Sequence, residues 1–137
     1  MALRGLDHVN INCADLERSR TFYAALGLTE GERPAFGVPG AWFYLEGRPV
    51  VHLVGGMAAK GADTGRFDHF AFEATDFEAM RGRLQALGVA FEENIFAAAR
   101  LKQLFFPDPD GVKIELNFRG GQAGQALGAS SPPPSTP

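Results

Sequence analysis

The chain contains two copies of one pattern. LDHVNINCADLERSRTFYAALGLTE, from Leu6, and FDHFAFEATDFEAMRGRLQALGVAF, from Phe67, align without a gap at a shift of 61. Asp7 falls on Asp68, His8 on His69, Asp15 on Asp76, and Leu26-Gly27 on Leu87-Gly88. Self-similarity of this kind means one supersecondary unit built twice. The fold must therefore be a pair of equivalent modules.

Each copy opens with a strand and continues with a helix. Phe77, Met80, Leu84 and Leu87 recur with helical period, and Leu16, Phe22, Tyr23 and Leu26 give the first helix a similar apolar stripe. Asp15 and Asp76 are expected N-caps, because a short carboxylate accepts the unpaired N–H groups of a first helical turn. Gly27 and Gly88 fit the helix ends. Strand-like runs follow at 28–30, 40–45 and 49–54 in the first copy and at 90–94, 101–106 and 112–118 in the second. PDPDG, residues 107–111, is a turn between the last two. The expected fold class is α+β, with β-α-β-β-β modules at about 4–54 and 66–119 joined by residues 55–65.

Composition sets the remaining bounds. A chain of 137 residues with 45% hydrophobic content suits one globular domain with a core. A net charge of −3 without a basic stripe excludes nucleic acid as an expected partner. The apolar runs are too short to span a bilayer. MALRGLDH has no apolar export core. A single cysteine, Cys13, forms no internal disulfide; it reads as a small buried strand residue and makes the cytoplasm the expected compartment. Residues 120–137, rich in glycine, proline and serine, are expected to form a disordered tail.

Strand alternation then sorts the side chains. Val9 and Ile11 oppose His8 and Asn10; Phe70 and Phe72 oppose His69; Val51 and Leu53 oppose His52; Ile114, Leu116 and Phe118 oppose Glu115 and Asn117. The apolar faces belong against the helices. The other faces collect His8, His52, His69 and Glu115, with Asn10, Val50, Val54, Ala71, Lys113 and Asn117 as neighbours. All three histidines of the chain fall on this pattern. Three imidazoles and a carboxylate suit a divalent first-row transition metal such as Ni, Zn, Fe or Mn.

The pieces LDHVNIN with DLERSRTFYAALGL, FDHFAFEA, and FFPDPDGVKIELNF resemble the vicinal oxygen chelate superfamily, the glyoxalase/bleomycin resistance/dioxygenase group. The resemblance implies paired βαβββ modules forming a curved mixed sheet around a metal. It implies His8, His52, His69 and Glu115 as ligands, with His52 standing where glyoxalase I enzymes commonly carry glutamate. It further implies that the metal stabilises an enediolate-like oxyanion of a small carbonyl substrate as a Lewis acid, with Glu115 as base and His52 as a second catalytic group. Asn10, Lys113 and Asn117 are then substrate-binding candidates. The leading expectation is a metal-dependent lyase or isomerase of the glyoxalase I type, acting on a glutathione hemithioacetal. The alternatives are an Fe(II) extradiol dioxygenase with His8, His69 and Glu115 as a facial triad, a thiol transferase for antibiotic resistance, and a non-catalytic drug-binding protein. The resemblance implies either pairing of module one of one chain with module two of another, giving a dimer, or pairing of the modules within a chain; a homodimer is the expected assembly.

Overall fold

A computed structural model of the chain describes residues 4–56 and 63–120. The tail expected at 120–137 lies, from residue 121 on, outside the described residues, as do residues 57–62 of the connector. The chain divides into two compact units, Met1–Ala62 and Asp63–Pro137. The first contains β1 (Val9–Asn12), α1 (Leu16–Leu26), β2 (Thr29–Gly31), β3 (Gly40–Leu45) and β4 (Arg48–Val54). The second contains β5 (His69–Glu73), α2 (Phe77–Ala86), β6 (Glu92–Phe96), a short 3-10 turn (Ala97–Ala99), β7 (Leu101–Pro107) and β8 (Lys113–Arg119).

Each unit is one four-stranded mixed sheet, ordered β1-β4-β3-β2 in the first and β5-β8-β7-β6 in the second. The opening strand pairs parallel with the last strand of its unit, and the other pairs are antiparallel. The β-α-β-β-β plan therefore occurs twice, with the same strand order, and the α+β fold class stands.

Local chemistry explains the helices. Asp15 Oδ1 accepts from the Arg18 N–H at 3.1 Å, and Asp76 Oδ1 accepts from the Ala79 N–H at 3.2 Å. Both expected N-caps are thus in place. Gly27 (φ 123°) and Gly88 (φ 72°) end the two helices in conformations that a side chain would resist.

The core follows the alternation. Ile11, Phe43, Val51 and Leu53 are buried on the face that shares the first unit with the buried Phe22, Tyr23 and Leu26 of α1. In the second unit Ile114, Leu116 and Phe118 are buried, and Phe77 of α2 meets the Phe118 ring edge-on with centroids 5.2 Å apart. Each fully buried side chain of this size contributes about 1.5–3 kcal/mol. Cys13 is fully buried and makes no disulfide.

Several strand ends shift by one residue from expectation, and two further differences bear on the site. The strand expected at 90–94 is Glu92–Phe96, because Val89 is still tied to the Leu84 carbonyl at 3.0 Å and the ladder to β7 runs only from Glu92 to Phe96. His8 precedes β1, whereas His69 lies within β5. The cause is a bulge in the first unit: Phe43 pairs with Val51 and Tyr44 with Pro49, so Val50 has no partner on β3. The β1–β4 ladder begins at Val9–Val51, beside that bulge, while His69 pairs with Lys113.

Candidate functional site

The second unit gathers its polar groups on the face away from α2. Register places Ala71 beside Glu115, and Glu115 beside Phe105 on β7. His69 Nδ1 donates to Asp68 Oδ2 at 2.8 Å, and its Nε2 lies 2.7 Å from Glu115 Oε1. An ionised carboxylate only accepts hydrogen bonds, so the Asp68 contact fixes the ring proton on Nδ1. Nε2 then presents a lone pair to Glu115. Two acceptors this close need a proton or a cation between them, and imidazole nitrogen with carboxylate oxygen is a fitting donor pair for a divalent metal. The outer carboxylate is the arrangement that orients a metal-binding imidazole.

The other Glu115 oxygen is also held. Gln103 Nε2 donates to Glu115 Oε2 at 3.1 Å and to Asn117 Oδ1 at 2.8 Å, while Asn94 Nδ2 reaches Gln103 Oε1 at 3.5 Å. Gln103, Glu115 and Asn117 are only 7%, 6% and 7% exposed. Burying a carboxylate costs heavily unless its oxygens have partners; Gln103 supplies one for Oε2, while Oε1 faces His69 Nε2. Gln103 drew no attention in the sequence. Its role depends on the register that sets it against Asn117, two residues beyond Glu115.

The first unit presents its counterpart residues on the face away from α1. His8 Nδ1 donates to Asp7 Oδ2 at 2.7 Å, repeating the Asp68–His69 arrangement and leaving Nε2 as the lone-pair nitrogen. His52 is paired in register with Trp42, as Glu115 is with Phe105. The His52 ring is stacked between two others: on His8 with centroids 3.8 Å apart and planes 11° apart, and on Trp42 at 4.0 Å and 12°. Its Nε2 donates to the Pro49 carbonyl at 3.0 Å. Imidazole lone pairs lie in the ring plane, and two stacked, nearly parallel planes do not meet nearby. In this arrangement His8 and His52 do not aim at one ion, and His52 stands as a neighbour of His8.

Electrostatics follow the contacts. Burial holds the His52 pKa below the usual histidine value, with the neighbouring His8 adding to the effect. Asp7 is held below the usual carboxylate range by its bond to His8, and Asp68 by its bonds to His69 and Lys113. Lys113 Nζ sits 2.9 Å from Asp68 Oδ2, so it serves the Asp–His pair. Asn10 Nδ2 contacts Asn12 Oδ1 at 3.4 Å and is exposed. Two further cations of the chain have partners of their own. Arg48 donates to the Leu6 carbonyl at 3.3 Å, and Lys102 lies over the Phe77 ring at 4.8 Å. Among the described residues no group of three or more His, Cys, Asp or Glu side chains stands together as a ready metal site.

Repeated βαβββ units with these faces define a recognisable class. The chain belongs to the Glyoxalase/Bleomycin resistance protein/Dioxygenase superfamily, whose family model matches residues 5–116. One relative, Glyoxylase I 4 of Arabidopsis thaliana, is 28% identical over 123 residues, covering 83% of this chain and 70% of the relative. The glyoxylase/bleomycin resistance protein/dioxygenase domain from Frankia sp. EAN1pec shares the fold at a TM-score of 0.73, with 23% identity over 86% of this chain and 99% of that one. The genomically encoded fosfomycin resistance protein FosX from Listeria monocytogenes shares it at a TM-score of 0.69, with 20% identity over 88% and 98% of the two chains. Among the described residues no helix is long and apolar enough to cross a membrane.

Proposed function

We propose that the protein is a metal-dependent enzyme of the glyoxalase I-like lyase or isomerase type, acting on a small carbonyl compound. The observation that carries this reading is the His69 Nε2–Glu115 Oε1 pair, 2.7 Å apart, with Asp68 and Gln103 holding the far side of each ligand. His8, backed by Asp7 in the same way, is the proposed ligand of the first unit. The 28% identity to a plant protein named for glyoxalase I supports the choice of reaction. When bound, a divalent metal would supply Lewis acidity for negative charge developing on a carbonyl oxygen.

The chain's own groups then divide the work. Asp7 and Asp68 hold the Nδ1 protons, which keeps the Nε2 lone pairs of His8 and His69 directed outward. Gln103 keeps Glu115 Oε2 in place, so Oε1 is the oxygen offered to the reacting centre. To act as base, Glu115 Oε1 would have to leave the metal in the reactive complex; it then takes a proton from the carbon next to the carbonyl and returns it one carbon away. His52, whose Nε2–H is taken by the Pro49 carbonyl, presents Nδ1 as a second proton acceptor, and burial holds its pKa below the usual histidine value. Asn10 and Asn117 supply polar contacts to the substrate.

His52 gives a second reading its support. Stacked on His8, it leaves two histidines and one carboxylate as the ligand set, the composition of an Fe(II) facial triad. Reloading the stripped protein with Ni(II), Co(II), Zn(II), Mn(II) or Fe(II) separates the two. Isomerisation of glutathione hemithioacetals without oxygen uptake is the expected outcome. Activity restricted to Fe(II) and consuming O₂ selects the dioxygenase. Protein that takes up no transition metal sinks both.

A further inference from the structure

At one equivalent position the two units differ in a way that brings a cation onto the first sheet. In the second unit Gln103 stands opposite Asn117; the matching pair in the first unit is Gly40 opposite Val54. Gly40 shares its face with Trp42, two residues on. A Cβ at Gly40 would meet Arg33 Nη2 at 2.5 Å and Cζ at 2.6 Å. The glycine therefore leaves the room that the Arg33 guanidinium fills. Where the second unit presents a carboxamide, the first presents a permanent positive charge.

That charge is held but not neutralised. Arg33 Nη1 donates to the Val38 carbonyl at 3.1 Å, and the guanidinium lies over the Phe36 ring at 5.1 Å. Phe36 in turn leans on Trp42, with centroids 6.1 Å apart, and Trp42 stacks on His52. Arg33 thus begins a column of rings that ends at His8. Among the described residues no carboxylate lies within ion-pair distance of it. Its Nε is buried and has no hydrogen-bond partner, alone among buried side-chain nitrogens and oxygens of the described residues. An orphaned donor on a charged group costs about 1–3 kcal/mol or more, which a fitting acceptor returns. Nε and Nη2 form the side of a guanidinium that takes both oxygens of a carboxylate as a fork. The Arg33 charge also contributes to the depressed basicity of His52, which places it within electrostatic reach of that ring.

We propose that Arg33, seated at Gly40 beside the Trp42–His52 stack, is an anion subsite that takes the carboxylate of a small organic substrate. This rests on the proposed function for the identity of the reacting end, and it narrows the substrate class to carbonyl compounds bearing a carboxylate.

The test is calorimetric titration of metal-free protein with lactate and with lactamide, its uncharged counterpart. Lactate is expected to bind about tenfold or more tightly than lactamide, as loss of a charged fork implies. Arg33→Gln should bring lactate down to the level of lactamide, and Arg33→Lys should keep part of the preference, because it keeps charge without the fork. Thermal melts establish that each variant folds; if Arg33→Gln does not, the comparison of Arg33→Lys with wild type decides. Equal binding of the two probes, no binding of lactate, or an undiminished preference in a folded Arg33 variant overturns the subsite. Because no metal is present, success here with failure of metal loading would discard the metal reading alone. Metal-dependent activity on neutral hemithioacetals without any lactate preference would discard the subsite alone.

Discussion

Glu115→Ala is expected to remove metal binding and activity together. The carboxylate is the only anion in the proposed ligand set, and both of its oxygens are committed, one toward His69 and one to Gln103. Loss of an outer partner to a ligand costs ten- to a hundredfold in affinity, so loss of the ligand itself should weaken binding by more than about a hundredfold. Competition with a chromophoric chelator measures this directly, and circular dichroism reports whether the variant folds. The fold should survive, because Gln103 keeps its 2.8 Å bond to Asn117 when Glu115 is gone. A folded Glu115→Ala protein with wild-type metal affinity would remove Glu115 from the ligand set and the proposed mechanism with it.

Gln103→Leu carries the second large effect. Leucine preserves the bulk but leaves Glu115 Oε2 without its donor, so metal affinity is expected to fall about ten- to a hundredfold. A residue that acts only through the packing of β7 against β8 would lower the melting temperature and little else. The discriminating measurement is a double-mutant cycle. If Gln103 works by orienting the Glu115 carboxylate, its replacement should have little further effect on metal affinity in a Glu115→Gln background. Additive losses would mean that the two residues act independently.

How far the sequence alone reaches depends on the range of the signal. The repeated β-α-β-β-β plan and the aspartate caps rest on local periodicity and on the repeat, and these hold in the structure. Gln103 could not be read, because LKQLFF shows only a strand; its partner is defined by register with β8. Trp42 is the same case, since nothing in GAWFYL says that it faces His52. Arg33 is further out of reach: it lies between β2 and β3 and arrives at the sheet through the space at Gly40. The shift of β6 to Glu92–Phe96 likewise came from pairing, which outranked the apolar residues at 89–91. Propensity and alternation say which way a strand residue points, but cross-strand register says what it touches.

The stack at His52 has an optical consequence. Trp42 is the chain's only tryptophan, so all indole emission from the protein originates beside that imidazole. Indole fluorescence responds to what lies against the ring. An event that turns His52, charges it or brings a paramagnetic ion to its neighbour His8 should therefore alter the intensity or colour of the emitted light. The unmodified molecule carries a spectroscopic gauge of occupancy in its first unit. It has none in the second, where Phe105 takes the matching place.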